Sequence, residues 1–186
     1  MRRIHQAVLL ASTLTISWLG MMAVHEAGHV LAAWLTGATV VRVVLHPLTI
    51  SRTDIGDNPH PLVVVAAGPL VGVAAPLFAW LMARVPIWYL FRFFAGFCLI
   101  ANGAYIGAGS FESIGDAGEL LRHGASMWQL WLFGAICVPT GLALWHRLGV
   151  HFGLGEARGS VSTPTAYGCL MVALVMITLM ALFGGE

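Results

Sequence analysis

The fold of this chain is decided by one apolar segment, residues 16–35, which reads ISWLGMMAVHEAGHVLAAWL. A helix of about 20 apolar residues is long enough to cross the hydrocarbon core of a bilayer. The segment also carries His25, Glu26 and His29, whose burial among apolar side chains is costly unless a partner compensates them. A bound metal ion is the simplest such partner.

The motif His25-Glu26-Ala27-Gly28-His29 has the H-E-x-x-H spacing that suits zinc binding. Residues four apart lie on one face of a helix, so both imidazoles can bind a single zinc ion. Glu26 can then take a proton from a zinc-activated water and deliver it to a leaving amine. We expect Gly28, which has no side chain, to leave room for a substrate backbone. The alternative is two hydrogen-bonded helix histidines and a salt-bridged glutamate.

The composition also indicates a membrane protein. The 186 residues are 59% hydrophobic and 9% charged, whereas soluble domains carry about 25% charged residues. The net charge of +1 gives no indication of a nucleic-acid partner. We therefore predict an all-α, multi-pass integral membrane protein in a lipid bilayer, in the bacterial plasma membrane. The predicted crossings are about residues 7–35, 61–82, 86–108, 127–148 and 164–183.

An extended segment is predicted between the first two crossings. Residues 39–50 are rich in β-branched side chains, and Pro47 favours an edge or a bend. Such an edge could pair with an unwound substrate segment, or a short strand or hairpin could simply pack over the membrane face. The residues that mark the following loop are Asp54, Asp57, Asn58 and Pro59.

A catalytic zinc ion needs a third protein ligand and an open position. The third crossing runs in the same direction as the first, so it ends on the histidine side, just before residues 110–121. This favours Asp116, which is flanked by small residues. Because Ser113 stands three residues earlier, the same spacing fits a helix-capping box, and both roles stay open. Four other carboxylates remain candidates: Asp54, Asp57, Glu112 and Glu119.

Two further features lie within the predicted crossings. Asn102 stands among small residues, and its amide could orient a substrate strand or a zinc ligand, or only bond to a neighbouring helix. The spacings Gly68-x-x-x-Gly72 and Gly103-x-x-x-Gly107 predict close helix contacts.

Taken together, these motifs resemble the site-2 protease family of intramembrane zinc metalloproteases. The resemblance covers about residues 7–122 and includes Ala67-Gly68-Pro69-Leu70 and Asp116-Ala117-Gly118. It implies one Zn²⁺ per chain, held by His25, His29 and Asp116, with Glu26 as the catalytic residue. It also implies a membrane-protein substrate, cleaved in or near a transmembrane segment. The whole chain, residues 1–186, is then a single metalloprotease domain in which residues 127–148 and 164–183 form peripheral helices.

Two other functions would also place histidines on a membrane helix: a divalent-metal transporter, and a non-catalytic scaffold that keeps zinc for stability. A transporter needs ionisable groups along several crossings, and the second, fourth and fifth offer almost none at mid-membrane. The arginine distribution places the N-terminus in the cytoplasm and the zinc face outside, whereas the family resemblance implies the reverse. The sequence does not predict the oligomeric state.

Overall fold

The computed structural model describes residues 2–185, which form six α-helices, a two-stranded sheet and two short 3₁₀ turns. In chain order the elements are α1 (Arg2–Thr36), β1 (Val40–Val44), β2 (Arg52–Ile55), α2 (Pro61–Met82), α3 (Trp88–Glu112), α4 (Gly115–Arg122), α5 (Met127–Trp145), the 3₁₀ turns Leu148–Phe152 and Gly155–Ala157, and α6 (Thr163–Phe183).

Five of these helices are long and apolar enough to cross a membrane, and only α4 is short. The prediction of an all-α polytopic protein with about five crossings is therefore confirmed. The ends differ by a few residues: α1 begins at Arg2 rather than near residue 7, and α3 continues to Glu112 rather than ending near residue 108. No proline interrupts α3, and Ser113 adopts a left-handed conformation with φ of 51° and ends the helix.

The extended segment after α1 was only partly predicted. It forms a hairpin rather than one strand over residues 39–50, because the chain turns around Pro47 and returns as β2. Val43 faces Thr53 in this antiparallel pair. Asp54, expected in a loop, lies within β2, where the neighbouring β-branched residues favour an extended chain.

Small residues bring the helices close together, as the glycine spacings predict. A Cβ atom at Gly134 of α5 would lie 2.9 Å from the carbonyl oxygen of Gly103 and 3.1 Å from Cα of Gly107, both in α3. A Cβ atom at Gly72 of α2 would lie 2.9 Å from Oδ1 of Asn102. The predicted close contacts are therefore confirmed for α3 with α5 and for α2 with α3.

Helices α2, α3 and α6 pack against α1, whereas α5 packs against α3. Leu19 and Met22 of α1 pack with Met180 of α6. Beyond the end of α6, the carbonyl oxygen of Gly184 accepts a hydrogen bond of 2.6 Å from the backbone N–H of Leu45, just after β1. One face of the C-terminal half of α1 packs against α2, α3 and the hairpin, while Leu31, Trp34 and Leu35 on its other face are exposed.

Candidate metal centre

The two histidines of α1 are buried one helical turn apart, and each has a hydrogen-bond partner on its Nδ1 atom. Nδ1 of His29 lies 2.9 Å from the carbonyl oxygen of Val64 in α2. Nδ1 of His25 lies 2.6 Å from Oδ1 of Asn102 in α3. Since both partners accept, each Nδ1 carries a proton, and in the neutral form of the ring each Nε2 can offer its lone pair to a metal.

The orientation of the Asn102 side chain follows from its second contact. Its Nδ2 donates to the carbonyl oxygen of Cys98 at 2.9 Å, so Oδ1 must face His25. The side chain is only 1% exposed. Asn102 thus bonds α3 to the neighbouring helix α1 and also orients the ring of His25. The sequence had offered these two roles as alternatives.

Asp116 stands at the beginning of α4 and points towards both histidines. Its Oδ2 atom lies 2.7 Å from Nε2 of His25 and 3.4 Å from Nε2 of His29. Its backbone N–H donates to the phenolic oxygen of Tyr105 at 3.1 Å, which fixes the start of α4 against α3. The predicted capping box is wrong, because Ser113 ends α3 in a left-handed conformation and Ile114 precedes α4.

The three donor atoms fit a zinc ion. They lie within 4.8 Å of one another, and two imidazole nitrogens with a carboxylate oxygen are donors that zinc prefers. Metal–ligand distances of about 2.0–2.2 Å in a tetrahedron put ligand atoms about 3.4 Å apart. The separation from His29 to Asp116 already has this value, whereas the direct contact from His25 to Asp116 must lengthen. Three protein ligands leave the fourth position open.

The charge of Asp116 also suits a metal. Burial alone would raise the pKa of its carboxyl, but hydrogen bonds from His25 and His29 outweigh this effect. The pKa therefore lies well below its ordinary value, and the group stays a carboxylate at physiological pH. This anionic form is the one that binds metal ions.

The other candidate carboxylates do not join this cluster. Glu119 pairs with Arg122 at 2.5 Å, and Asp54 pairs with Arg52 at 3.3 Å. Within residues 2–185, the cluster of two histidines and Asp116 is the one group of three possible metal ligands. The role of Asp116 as a ligand remains a prediction, and the geometry favours it over the alternatives.

Gly28 has a different role from the expected one. A Cβ atom at this position would lie 2.5 Å from the carbonyl oxygen of Ala67 and 3.0 Å from Cα of Gly68. The space above Gly28 is therefore filled by α2 and not left for a substrate. A Cβ atom at Gly68 would in turn overlap the ring of His29 and lie 2.9 Å from Nε2 of His25. The Ala67-Gly68-Pro69 motif thus lets the α2 backbone approach both imidazoles, a role that the sequence analysis missed.

Glu26 is 3% exposed, and the hairpin supplies partners for its carboxylate. Oγ of Ser51 donates to Oε1, and Oγ1 of Thr53 donates to Oε2, each at 2.7 Å. Glu26 borders a cavity of about 1030 Å³ that is also lined by both histidines and Asp116. Sequence reasoning missed both hydroxyl groups, although alternating residues on a strand share a face.

The comparisons with known proteins agree with this geometry. The family described as peptidase M50B-like matches residues 5–106, which is more than half of the chain and includes the H-E-x-x-H motif. No curated protein and no solved structure matches the chain. The family match ends before Asp116, so the third ligand depends on the geometry alone. With five apolar helices, the chain is a multi-pass integral membrane protein, and it belongs to the M50B-like peptidases, the site-2 protease family of membrane metalloproteases.

Proposed function

We propose that this protein is a zinc-dependent endopeptidase that cleaves a peptide bond in or near a transmembrane segment of another membrane protein. One observation carries the proposal: the buried Glu26 carboxylate and the cluster of His25, His29 and Asp116 border the same cavity. Family membership supports a protease, and the lining of this cavity by residues of the apolar helices α1, α2 and α3 supports cleavage within the membrane.

The residues that line the cavity have separate roles in the reaction. When bound to His25, His29 and Asp116, zinc would supply Lewis-acid activation of a water and of the scissile carbonyl. Glu26 accepts the proton of the attacking water and passes it to the nitrogen of the leaving amine. Asn102 keeps the His25 ring in the tautomer that leaves Nε2 unprotonated.

The substrate is expected to be an extended stretch of a membrane protein. A helix hides its carbonyl groups in its own hydrogen bonds, so a transmembrane helix must unwind before it can be cut. The edge of β1 that faces away from β2 could hold such a stretch by strand pairing. The N–H of Leu45 points to this edge, and in a regular strand the N–H of Val43 points the same way. Gly184 already pairs with Leu45, and Gly185 lies close to the carbonyl oxygen of Val43, so the remaining part of the edge runs from the N–H of Val43 back towards Val41.

The two rival functions, transporter and scaffold, can each be distinguished from a protease. A transporter would need ligands along a path through the bilayer, but the described residues, 2–185, hold a single three-ligand cluster at one place, between α1 and α4. Zinc uptake by liposomes that contain the purified protein would support the transporter. A scaffold would keep its zinc and show no reaction that depends on Glu26.

The deciding experiment compares Glu26→Gln with the wild-type protein in detergent micelles. The probes are reporter proteins with one transmembrane helix of about 20 residues, with or without a central Gly-Pro break. Glu26→Gln should retain about one zinc per chain by elemental analysis and lose cleavage by about 10² to 10⁴-fold. Glu156→Gln, the same change on an exposed turn, is the matched control and should cleave normally. Normal cleavage by Glu26→Gln, or no zinc-dependent product from the wild type, would overturn the proposal.

A further inference from the structure

The hairpin contacts Glu26 through Thr53 of β2 and through Ser51, the residue just before this strand. Ser51 and Thr53 are two residues apart, so they share the face that points towards α1. Arg52 and Asp54 alternate with them, point the other way and form an ion pair in which both side chains are substantially exposed. The inner face of the hairpin therefore offers two hydroxyl groups, and both meet Glu26.

These contacts set the orientation of the carboxylate. A glutamate side chain has three rotatable torsions, and a buried carboxylate needs hydrogen-bond partners to offset its loss of water. One hydroxyl group on each oxygen fixes the plane of the carboxylate as well as its position. A carboxylate has about four acceptor sites, so each oxygen still has one for a water molecule.

We infer that Ser51 and Thr53 are positioning residues for Glu26: their hydroxyl groups hold the carboxylate in the orientation in which it serves as the base. The inference rests on the proposed function, because it assigns a purpose to the contacts of the proposed base. It also gives the hairpin a role in the chemistry besides any pairing with substrate. Misplacing a reacting group by about 1 Å costs about 10² in rate, so two short hydrogen bonds can matter greatly.

The test distinguishes the effect of the hydroxyl groups on the rate from the effect of side-chain shape. Thr53→Val keeps the shape and removes the hydroxyl group, whereas Thr53→Ser keeps the hydroxyl group and removes the methyl group. With the Gly-Pro reporter, Thr53→Val and Ser51→Ala should each lower kcat about tenfold, and the double variant about 10²-fold. KM and zinc content should stay within about twofold, because the base acts only in the transition state. Thr53→Ser should retain most of the wild-type kcat.

A matched control and a double-mutant cycle make the outcome specific. Thr15→Val removes an exposed hydroxyl group that bonds within α1, three turns before Glu26, and should leave kcat unchanged. In the Glu26→Gln background, Thr53→Val should not lower the residual single-turnover rate further, because the group that it positions is already gone.

Each other result overturns the inference in a distinct way. If Glu26→Gln is inactive while Thr53→Val and Ser51→Ala both cleave normally, only the positioning role fails, and the proposed function stands. If KM rises with kcat unchanged, or if Thr53→Ser is as slow as Thr53→Val, the hairpin acts through substrate binding or packing instead. Additive effects of Thr53→Val and Glu26→Gln would likewise show that Thr53 acts independently. Normal cleavage by Glu26→Gln itself would refute the proposed function, and the positioning role would fail with it.

Discussion

Replacing Asn102 with alanine should weaken zinc binding although Asn102 is not a zinc ligand. The change removes the acceptor that lies 2.6 Å from Nδ1 of His25. A buried donor left without a partner costs about 1–3 kcal/mol, which corresponds to about 5- to 150-fold in an equilibrium constant. Loss of such supporting hydrogen bonds behind metal-bound histidines typically costs about 10- to 100-fold in affinity. We therefore expect zinc affinity to fall by about 10- to 100-fold in this variant.

The assay is zinc competition with a chelator of known affinity, on protein purified in detergent. Asn102→Asp keeps an oxygen acceptor in place and should bind zinc more tightly than Asn102→Ala. Ser110→Ala is the matched control: Ser110 is also buried on α3 and bonded to a backbone carbonyl of its own helix, and it accepts from Trp131 instead of a histidine. Unchanged zinc affinity in a folded Asn102→Ala variant would refute the argument that this hydrogen bond prepares His25 for the metal.

Three further predictions test the third ligand, the helix contact and the substrate edge. Asp116→Ala should lower bound zinc well below one per chain by elemental analysis, whereas Asp57→Ala on the rim of the same cavity should not; full retention in Asp116→Ala would assign the ligand elsewhere. Gly68→Ala should displace the His29 ring, at an overpacking cost of about 1–3 kcal/mol, and so weaken zinc binding. In the control, Gly168→Ala in α6, the added Cβ atom has no other atom within 4 Å, so zinc should bind normally. Val43→Pro should slow cleavage of the Gly-Pro reporter and keep the zinc, because it deletes one N–H from the β1 edge; unchanged cleavage would argue against strand pairing.

The parts of the molecule that the sequence predicts are those with a local signal. A crossing helix is a run of about 20 apolar residues, and α2 begins and ends where that run does, at Pro61 and Met82. The pair His25 and His29 is equally local, since four residues of helix set its geometry. The helix order then suffices to bring Asp116 near them, because α1 and α3 run in the same direction.

The parts that were missed depend on contacts between distant residues. The return strand β2 has few apolar residues, so its local signal is weak, and its pairing with β1 becomes evident only in the fold. Gly28 illustrates the same limit: its missing side chain indicates close approach, but only the fold shows that α2 is what approaches. For Asn102, the sequence shows a polar residue in an apolar helix, and the fold supplies His25 as its partner.

The polar groups of α1 explain why the site and the fold depend on each other. The three buried side chains of the H-E-x-x-H motif are each satisfied by a different element: His29 by α2, His25 by α3, and Glu26 by the hairpin. Unpaired polar groups inside a membrane protein cost free energy, so every one of these elements is held near α1 by the group that it satisfies. Asp116 adds α4 to the same arrangement. Bound zinc would replace direct contacts between these ligands with metal bonds, and we therefore expect metal removal to loosen α4 before it loosens α2 or α3.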